Sequence, residues 1–150
     1  MEKIRPLEEA DLPGCAALFV EVFSAPPWNE SWNASTALRR FDDCWRTPGF
    51  FGLLATSEKR IVGFALGQVE QWVTSRHFLL REMCVALQMQ RRGVGSQLMQ
   101  ALEDHLREAG IARIVLHTAR ESDAKAFYDQ CGFHMSARMV MMSKRLAPDG

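Results

Sequence analysis

The stretch that most constrains this chain runs from Glu82 to Gly110, EMCVALQMQRRGVGSQLMQALEDHLREAG. An apolar run is interrupted at Gln90-Arg91-Arg92-Gly93-Val94-Gly95. A helical pattern follows, with Val94, Leu98, Leu102, Leu106 and Ala109 on one face. Glu103, Asp104, Arg107 and Glu108 charge the other face, and Glu103 and Arg107 are spaced as an i,i+4 pair. The spacing predicts a strand, a glycine-containing turn and an amphipathic helix. Such a junction makes an anion site: the first amides of a helix have no intrahelical acceptor and the dipole is positive there. Residues without a Cβ let a ligand approach the backbone. Arg91 and Arg92 add charge and Ser96 a hydroxyl, so the expected ligand is a phosphate or pyrophosphate.

The turn lacks the Gly-Lys-Ser/Thr ending of a nucleoside-triphosphate loop and has only two of the three glycines of a dinucleotide fold. It resembles instead the acetyl-CoA-binding segment of the GCN5-related N-acetyltransferases (GNAT), Gln/Arg-x-x-Gly-x-Gly/Ala, here Gln90, Gly93 and Gly95 after a strand ending at Val85. Further on, Ala124-Lys125-Ala126-Phe127-Tyr128-Asp129-Gln130-Cys131-Gly132-Phe133 is similar to the family's second signature, Ala-x-x-x-Tyr-x-x-x-Gly-Phe. The β-branched run Arg113 to Thr118 reads as a strand between the two. The close resemblance covers Glu82 to Leu146; the N-terminal half matches in general plan.

The resemblance implies an acetyl-CoA-dependent N-acetyltransferase acting on a primary amine by direct attack in a ternary complex, with a small-molecule acceptor favoured. The alternatives are a protein or peptide Nα-acetyltransferase and a non-catalytic acyl-CoA-binding module. It also implies that Gln90, Arg91, Arg92, Gly93, Val94, Gly95, Ser96 and Ala124 line the cofactor, and that Cys84 and Val85 offer backbone contacts to its pantetheine arm. A homodimer is left open.

Acetyl transfer to an amine needs a base for the ammonium proton and benefits from an acid for the departing thiolate. It needs no covalent enzyme intermediate when both substrates lie side by side. Tyr128 is the only tyrosine in the chain, and a phenol, with an unperturbed pKa of about 10, can protonate a thiolate. In the family the tyrosine at this place sits beside the cofactor sulfur; the competing reading is a core aromatic beside Phe127. Glu82 is a charge in the apolar run Phe78 to Val85, costly to bury without a purpose. It is either a base acting through water or a structural partner of Arg81 or Arg76. Glu70, at the end of the preceding strand, is the competing base and acceptor-side residue. Trp28 and Trp32 lie in the loop Ser24 to Trp32, which in the family commonly covers the acceptor pocket; the competing reading is a loop pinned to the core. Two positions depart from the family's pattern: Glu121 stands where an asparagine is common, and Leu87 where proline is.

The rest of the chain supplies the frame. Lys3 to Arg5 reads as a first strand. A helix follows with Asp11 as N-cap and ends near Phe23, and a second runs from Asn33 to Trp45. Phe50 to Thr56 and Arg60 to Val69 flank Ser57-Glu58-Lys59 as a hairpin, and a strand runs from Phe78 to Ala86. After the central helix and the strand at Ile114, a helix starts at Ser122 and is closed by Gly132. A last strand is expected from Arg138 to Lys144, then a polar tail from Ala147 to Gly150. The plan is α/β, β-α-α-β-β-β-α-β-α-β: a mixed, mostly antiparallel GNAT-like sheet with helices on both faces, forming one domain over residues 1–150.

The 18 basic and 18 acidic residues cancel, which argues against nucleic acid or an anionic membrane as the partner. No long apolar run or leader stands out. Cys15, Cys44, Cys84 and Cys131 form no CxxC pair and sit in apolar contexts, as reduced thiols of a cytoplasmic protein would. The four histidines have no metal-ligand spacing, so no metal is expected.

Overall fold

The computed structural model of the chain describes residues 2–148, which divide after His117 into two units. The first holds β1 (Lys3–Pro6), α1 (Leu12–Ser24), α2 (Ala34–Trp45), β2 (Phe50–Ser57), β3 (Arg60–Gln71), β4 (Arg76–Val85), α3 (Val94–Glu108) and β5 (Arg113–Val115). The strands lie in the order β1-β2-β3-β4-β5, antiparallel throughout except for the parallel pair β4–β5. The second unit holds α4 (Asp123–Gln130).

Local chemistry explains the element ends. Asn33 caps α2: its Oδ1 accepts from the Thr36 amide at 2.9 Å, and Thr36 returns a bond to the Asn33 amide. The β2–β3 hairpin turns on Glu58 and Lys59, both left-handed at φ 50 and 66, the pattern of a two-residue turn that follows the strand twist. Asp11 stands at the N-cap of α1 but does not cap it. Its carboxylate turns back to accept the Glu8 amide and the Arg5 guanidinium.

Alternation along β3 separates the two helical layers. Phe64 meets Phe41 of α2 edge-on at 5.3 Å, while a Cβ on its neighbour Gly63 would meet Leu98 and Val94 of α3. α2 and α3 thus cover opposite faces. Phe41, Phe64, Phe78, Leu98 and Leu102 are fully buried between these layers, each contributing roughly 1.5–3 kcal/mol of burial.

One irregularity in β4 positions everything that follows. Leu66 of β3 opposes Glu82, but its neighbour Gly67 opposes Leu80, so Arg81 is an extra residue, a β-bulge. Gly67 permits it: a Cβ there would collide with the Leu79 carbonyl oxygen. The bulge shifts the alternation. Phe78, opposite Val69, belongs to the α3 face; Glu82 and Cys84, opposite Leu66 and Phe64, belong to the α2 face.

The expected plan is met through α4, with β5 confined to three residues because β4 pairs with it only from His77 to Leu79. The last strand, Arg138 to Lys144, is absent among the described residues. Met139, Val140, Met141 and Met142 are consecutive, so no single face is apolar, and all four are exposed. The Ser136 hydroxyl accepts the amides of Arg138 and Met139 at 3.2 and 2.9 Å, a local turn that competes with a ladder. No described helix is long and apolar enough to cross a membrane.

Candidate functional site

β4 is paired along both edges only at its start. β5 leaves it after Leu79, whereas β3 stays with it to Val85. From Leu80 to Val85 one edge of β4 therefore has no neighbouring strand among the described residues, and backbone groups on such an edge are open to a ligand.

That edge leads into the turn. Gln90 is extended, Arg91 is left-handed at φ 63, and Gly93, left-handed at φ 84, is the N-cap of α3. Nothing lies within 4 Å of where a Gly93 Cβ would stand. Among the described residues no side chain caps this helix end, so its first-turn amides are left without a side-chain acceptor there. Arg91, Arg92 and Ser96 are exposed around it, and neither arginine makes an ion pair among the described residues. Val94 is buried at 1% against β3, so it can offer a ligand only its backbone. The arrangement fits a pyrophosphate held at a helix start and an extended amide-bearing arm laid along the β4 edge.

Gln90 has a structural duty: its Nε2 donates to the Val85 carbonyl at 3.0 Å and ties the turn to the strand end. Cys84 is buried at 4%, and burial pushes its thiol well above the ordinary thiol range, which disfavours the thiolate at neutral pH.

Glu82 points from the bulge towards α2. Its Oε1 accepts from Nε and Nη2 of Arg40, both at 2.6 Å, and its side chain is 12% exposed against 35% for Arg40. Neither sequence-based partner, Arg81 or Arg76, is used. Arg76 reaches the Ala109 carbonyl and Arg81 approaches Gln68 at 3.5 Å. Burial raises the Glu82 pKa above the usual carboxylate value, and the neighbouring Arg40 and Arg81 only partly offset it. Arg40 went unpredicted although the pattern holds a signal. It stands three residues after Ala37 and four before Cys44, both buried, so it is a charge on the apolar side of α2.

Glu70 is half-buried on β3 and accepts a 3.3 Å bond from Gln68. It lies four residues along β3 from the partner of Glu82, about 13 Å away at 3.3 Å per residue. Trp28 and Trp32 are half-buried. Trp28 packs on Phe23 and Trp32 on Phe19, at 5.4 and 5.0 Å between ring centres. Trp32 Nε1 donates to Glu30 at 2.7 Å, and the Arg40 guanidinium lies 5.7 Å from its ring centre. Trp32 is therefore tied to the Glu82 pair, while Trp28 packs within its own segment.

In the second unit, Ala124 occupies the first turn of α4 and Tyr128 its last. Ser122 caps the helix by accepting the Lys125 amide at 3.0 Å. The Gly132 amide reaches the Asp129 carbonyl and the Phe133 amide the Tyr128 carbonyl, a Schellman closure. The Phe133 ring packs on Tyr128 at 5.6 Å, the apolar contact that usually accompanies it. Among the described residues no group of His, Cys, Asp and Glu is placed to hold a metal.

The acetyltransferase (GNAT) family profile matches residues 14–133, and the chain belongs to that family. No curated protein sequence is significantly similar to it. Among solved structures it resembles a transcriptional regulator from Bacillus halodurans C-125 at 21% identity and a TM-score of 0.79, covering 96% of this chain and 100% of that one. An aminoglycoside N-acetyltransferase in complex with CoA aligns at 18% identity and a TM-score of 0.73, covering 97% and 95%. Glucosamine-6-phosphate N-acetyltransferase from Arabidopsis thaliana aligns at 21% and 0.70, covering 98% and 99%. At these identities the likeness is one of fold.

Proposed function

We propose that this chain transfers the acetyl group of acetyl-CoA to a primary amine, both substrates being bound together, with a small molecule as acceptor. The observation that carries the reading is Glu82: a nearly buried carboxylate, its proton affinity raised, on the bulge at the start of the free β4 edge. Family membership and the amine substrates in the names of the structural neighbours support it.

Acetyl-CoA, when bound, supplies a thioester carbonyl that a neutral amine can attack. The protein does the rest. The α3 amides with Arg91, Arg92 and Ser96 hold the pyrophosphate, and the backbone of Cys84 and Val85 aligns the arm. Glu82 Oε2, the oxygen not bonded to Arg40, takes the ammonium proton through one water, and a raised pKa brings its basicity nearer to the working pH. By its place in the second signature, Tyr128 is the candidate to return a proton to the departing sulfur.

The test is a panel of amines assayed by thiol release from acetyl-CoA. Glu82→Gln should lower kcat/KM by roughly ten- to a hundredfold at neutral pH and recover partly at high pH, where more amine arrives neutral. Glu70→Gln should have the smaller effect. CoA binding without thiol release for any amine would leave an acyl-CoA-binding module. A larger defect in Glu70→Gln would move the base to Glu70.

A further inference from the structure

A cleft of about 280 Å³ opens between α2 and the bulged part of β4. Arg39, Arg40 and Arg81 line it, with Asp43 as the facing carboxylate and Thr36 and Thr47 as neutral polar neighbours. The three guanidiniums are not equally committed. Arg40 is bound to Glu82 at 2.6 Å. Arg39 meets Asp43 at 3.6 Å with 81% and 65% of the two side chains exposed, an ion pair that water screens almost entirely. Arg81 makes no ion pair among the described residues; its one polar contact is the 3.5 Å approach to Gln68. Arg40 is matched by Glu82 and Arg39 by Asp43, which leaves Arg81 as the lining guanidinium without a carboxylate partner among the described residues.

The position of that charge follows from the fold. In a regular strand Arg81 and Glu82 would point to opposite faces. The bulge sets Leu66 opposite Glu82 and Gly67 opposite Leu80, which turns Arg81 into the cleft and Glu82 onto Arg40, one of the residues that line it. A planar fork of donors therefore stands next to the proposed base, their Cα atoms about 3.8 Å apart.

We propose that the acceptor is a small amine that also carries an oxyanion, a carboxylate or a phosphate, held in this cleft by Arg81 with Arg39. This rests on the acetyltransfer reading and names its substrate class. The amine faces Glu82 and the oxyanion faces Arg81, so the two groups are joined through a few bonds. Polycationic amines, such as an aminoglycoside, are disfavoured by the guanidinium of Arg81.

The experiment uses matched pairs: an amino acid against its amide, and an amino-sugar phosphate against the free amino sugar. Each is measured twice, as kcat/KM by thiol release and as equilibrium binding by calorimetry with CoA saturating, so that the α3 turn is already filled. At least one charged member should be preferred over its neutral partner, and the pair that responds tells carboxylate from phosphate. Arg81→Ala should reduce that preference about ten- to a hundredfold, mostly through KM, the scale of one lost charged hydrogen bond. Arg81→Lys should restore part of it, since it keeps the charge and loses the fork. Unchanged thermal unfolding of both variants separates the effect from misfolding.

Binding preference without thiol release would sink the acetyltransfer reading and uphold the oxyanion site. Thiol release with equal rates for charged and neutral partners, or with a polyamine favoured, would overturn the site and leave the transfer standing. A loss of CoA affinity in Arg81→Ala, with the preference intact, would assign Arg81 to the cosubstrate and also overturn it.

Discussion

Replacing Arg40 with methionine keeps most of the side-chain volume and removes the charge that faces Glu82. Two unit charges about 4 Å apart attract by about 4 kcal/mol at an effective dielectric of about 20. Arg40 keeps 35% of its side chain in water, and Arg81 remains as a second cation, so about half of that is a fair expectation, some 2 kcal/mol. For a chain of 150 residues this corresponds to a fall in Tm of about 4–8 °C. The pH dependence has a definite sign. A carboxylate whose folded pKa lies above its unfolded one favours folding when protonated, and that contribution is lost as pH rises through the folded value. Without Arg40 the folded pKa of Glu82 rises further. The variant should therefore be most destabilised at neutral pH and above, and should approach wild type as pH falls and Glu82 is protonated.

Urea unfolding of wild type, Arg40→Met, Glu82→Gln and the double variant at two pH values closes the cycle. In the Glu82→Gln background, Arg40→Met should cost far less, because no buried carboxylate is left unpaired. If Arg40→Met costs the same with and without the Glu82 charge, the two are not coupled, and the electrostatic account of this corner of the site is refuted.

Tyr128→Phe should lower kcat roughly ten- to a thousandfold with little change in CoA affinity, as for the loss of one general acid; an unchanged kcat would leave the tyrosine to its packing on Phe133. Asp11→Asn should cost about 1 kcal/mol at neutral pH, a modest figure because Arg5 is 45% exposed. The Arg5 fork and the Glu8 amide hold the Asp11 pKa low, so its contribution is present above the unfolded value and fades as pH falls through the folded one. Variant and wild type should converge in acid, and a gap that persists there would mean that packing, not charge, is lost. Burial pushes the Cys15 thiol up to about 12 and raises those of Cys44 and Cys84, so none of the three should react with a disulfide reagent at neutral pH until the chain unfolds.

Features set by a few adjacent residues are legible in the sequence. The α3 junction, the Glu58-Lys59 hairpin turn, the Asn33 boundary and the closing Gly132 each depend on local backbone chemistry, and each stands where the pattern put it. Features that depend on pairing across the chain are not. The bulge at Arg81 exists because Gly67, fourteen positions earlier, lets the Leu79 carbonyl approach, and no periodicity along β4 announces it. The partner of Glu82 lies 42 positions away on α2. The expected final strand fails because Met139 to Met142 are apolar without alternation, and because Ser136 offers two of the amides a nearer acceptor.

The two family signatures separate, in this chain, into residues that hold shape and residues that are free to do chemistry. Gln90 spends its side-chain amide on the Val85 carbonyl, and Gly93 holds a left-handed backbone at the helix start. In the second signature the Tyr128 carbonyl, Gly132 and Phe133 together close α4. These positions would be required by the fold even in a protein that had lost catalysis. A match to both signatures is therefore sound reason to expect the architecture and the anion site, and weaker reason to expect turnover. Besides the Tyr128 hydroxyl, what points to turnover lies outside them, in a carboxylate that the bulge carries into a nearly dry corner and that an arginine on α2 holds in place. A relative that kept the turn and the closing glycine but replaced Glu82 and Arg40 with apolar residues would lose no fold-forming contact of either signature. It should bind CoA and release no thiol.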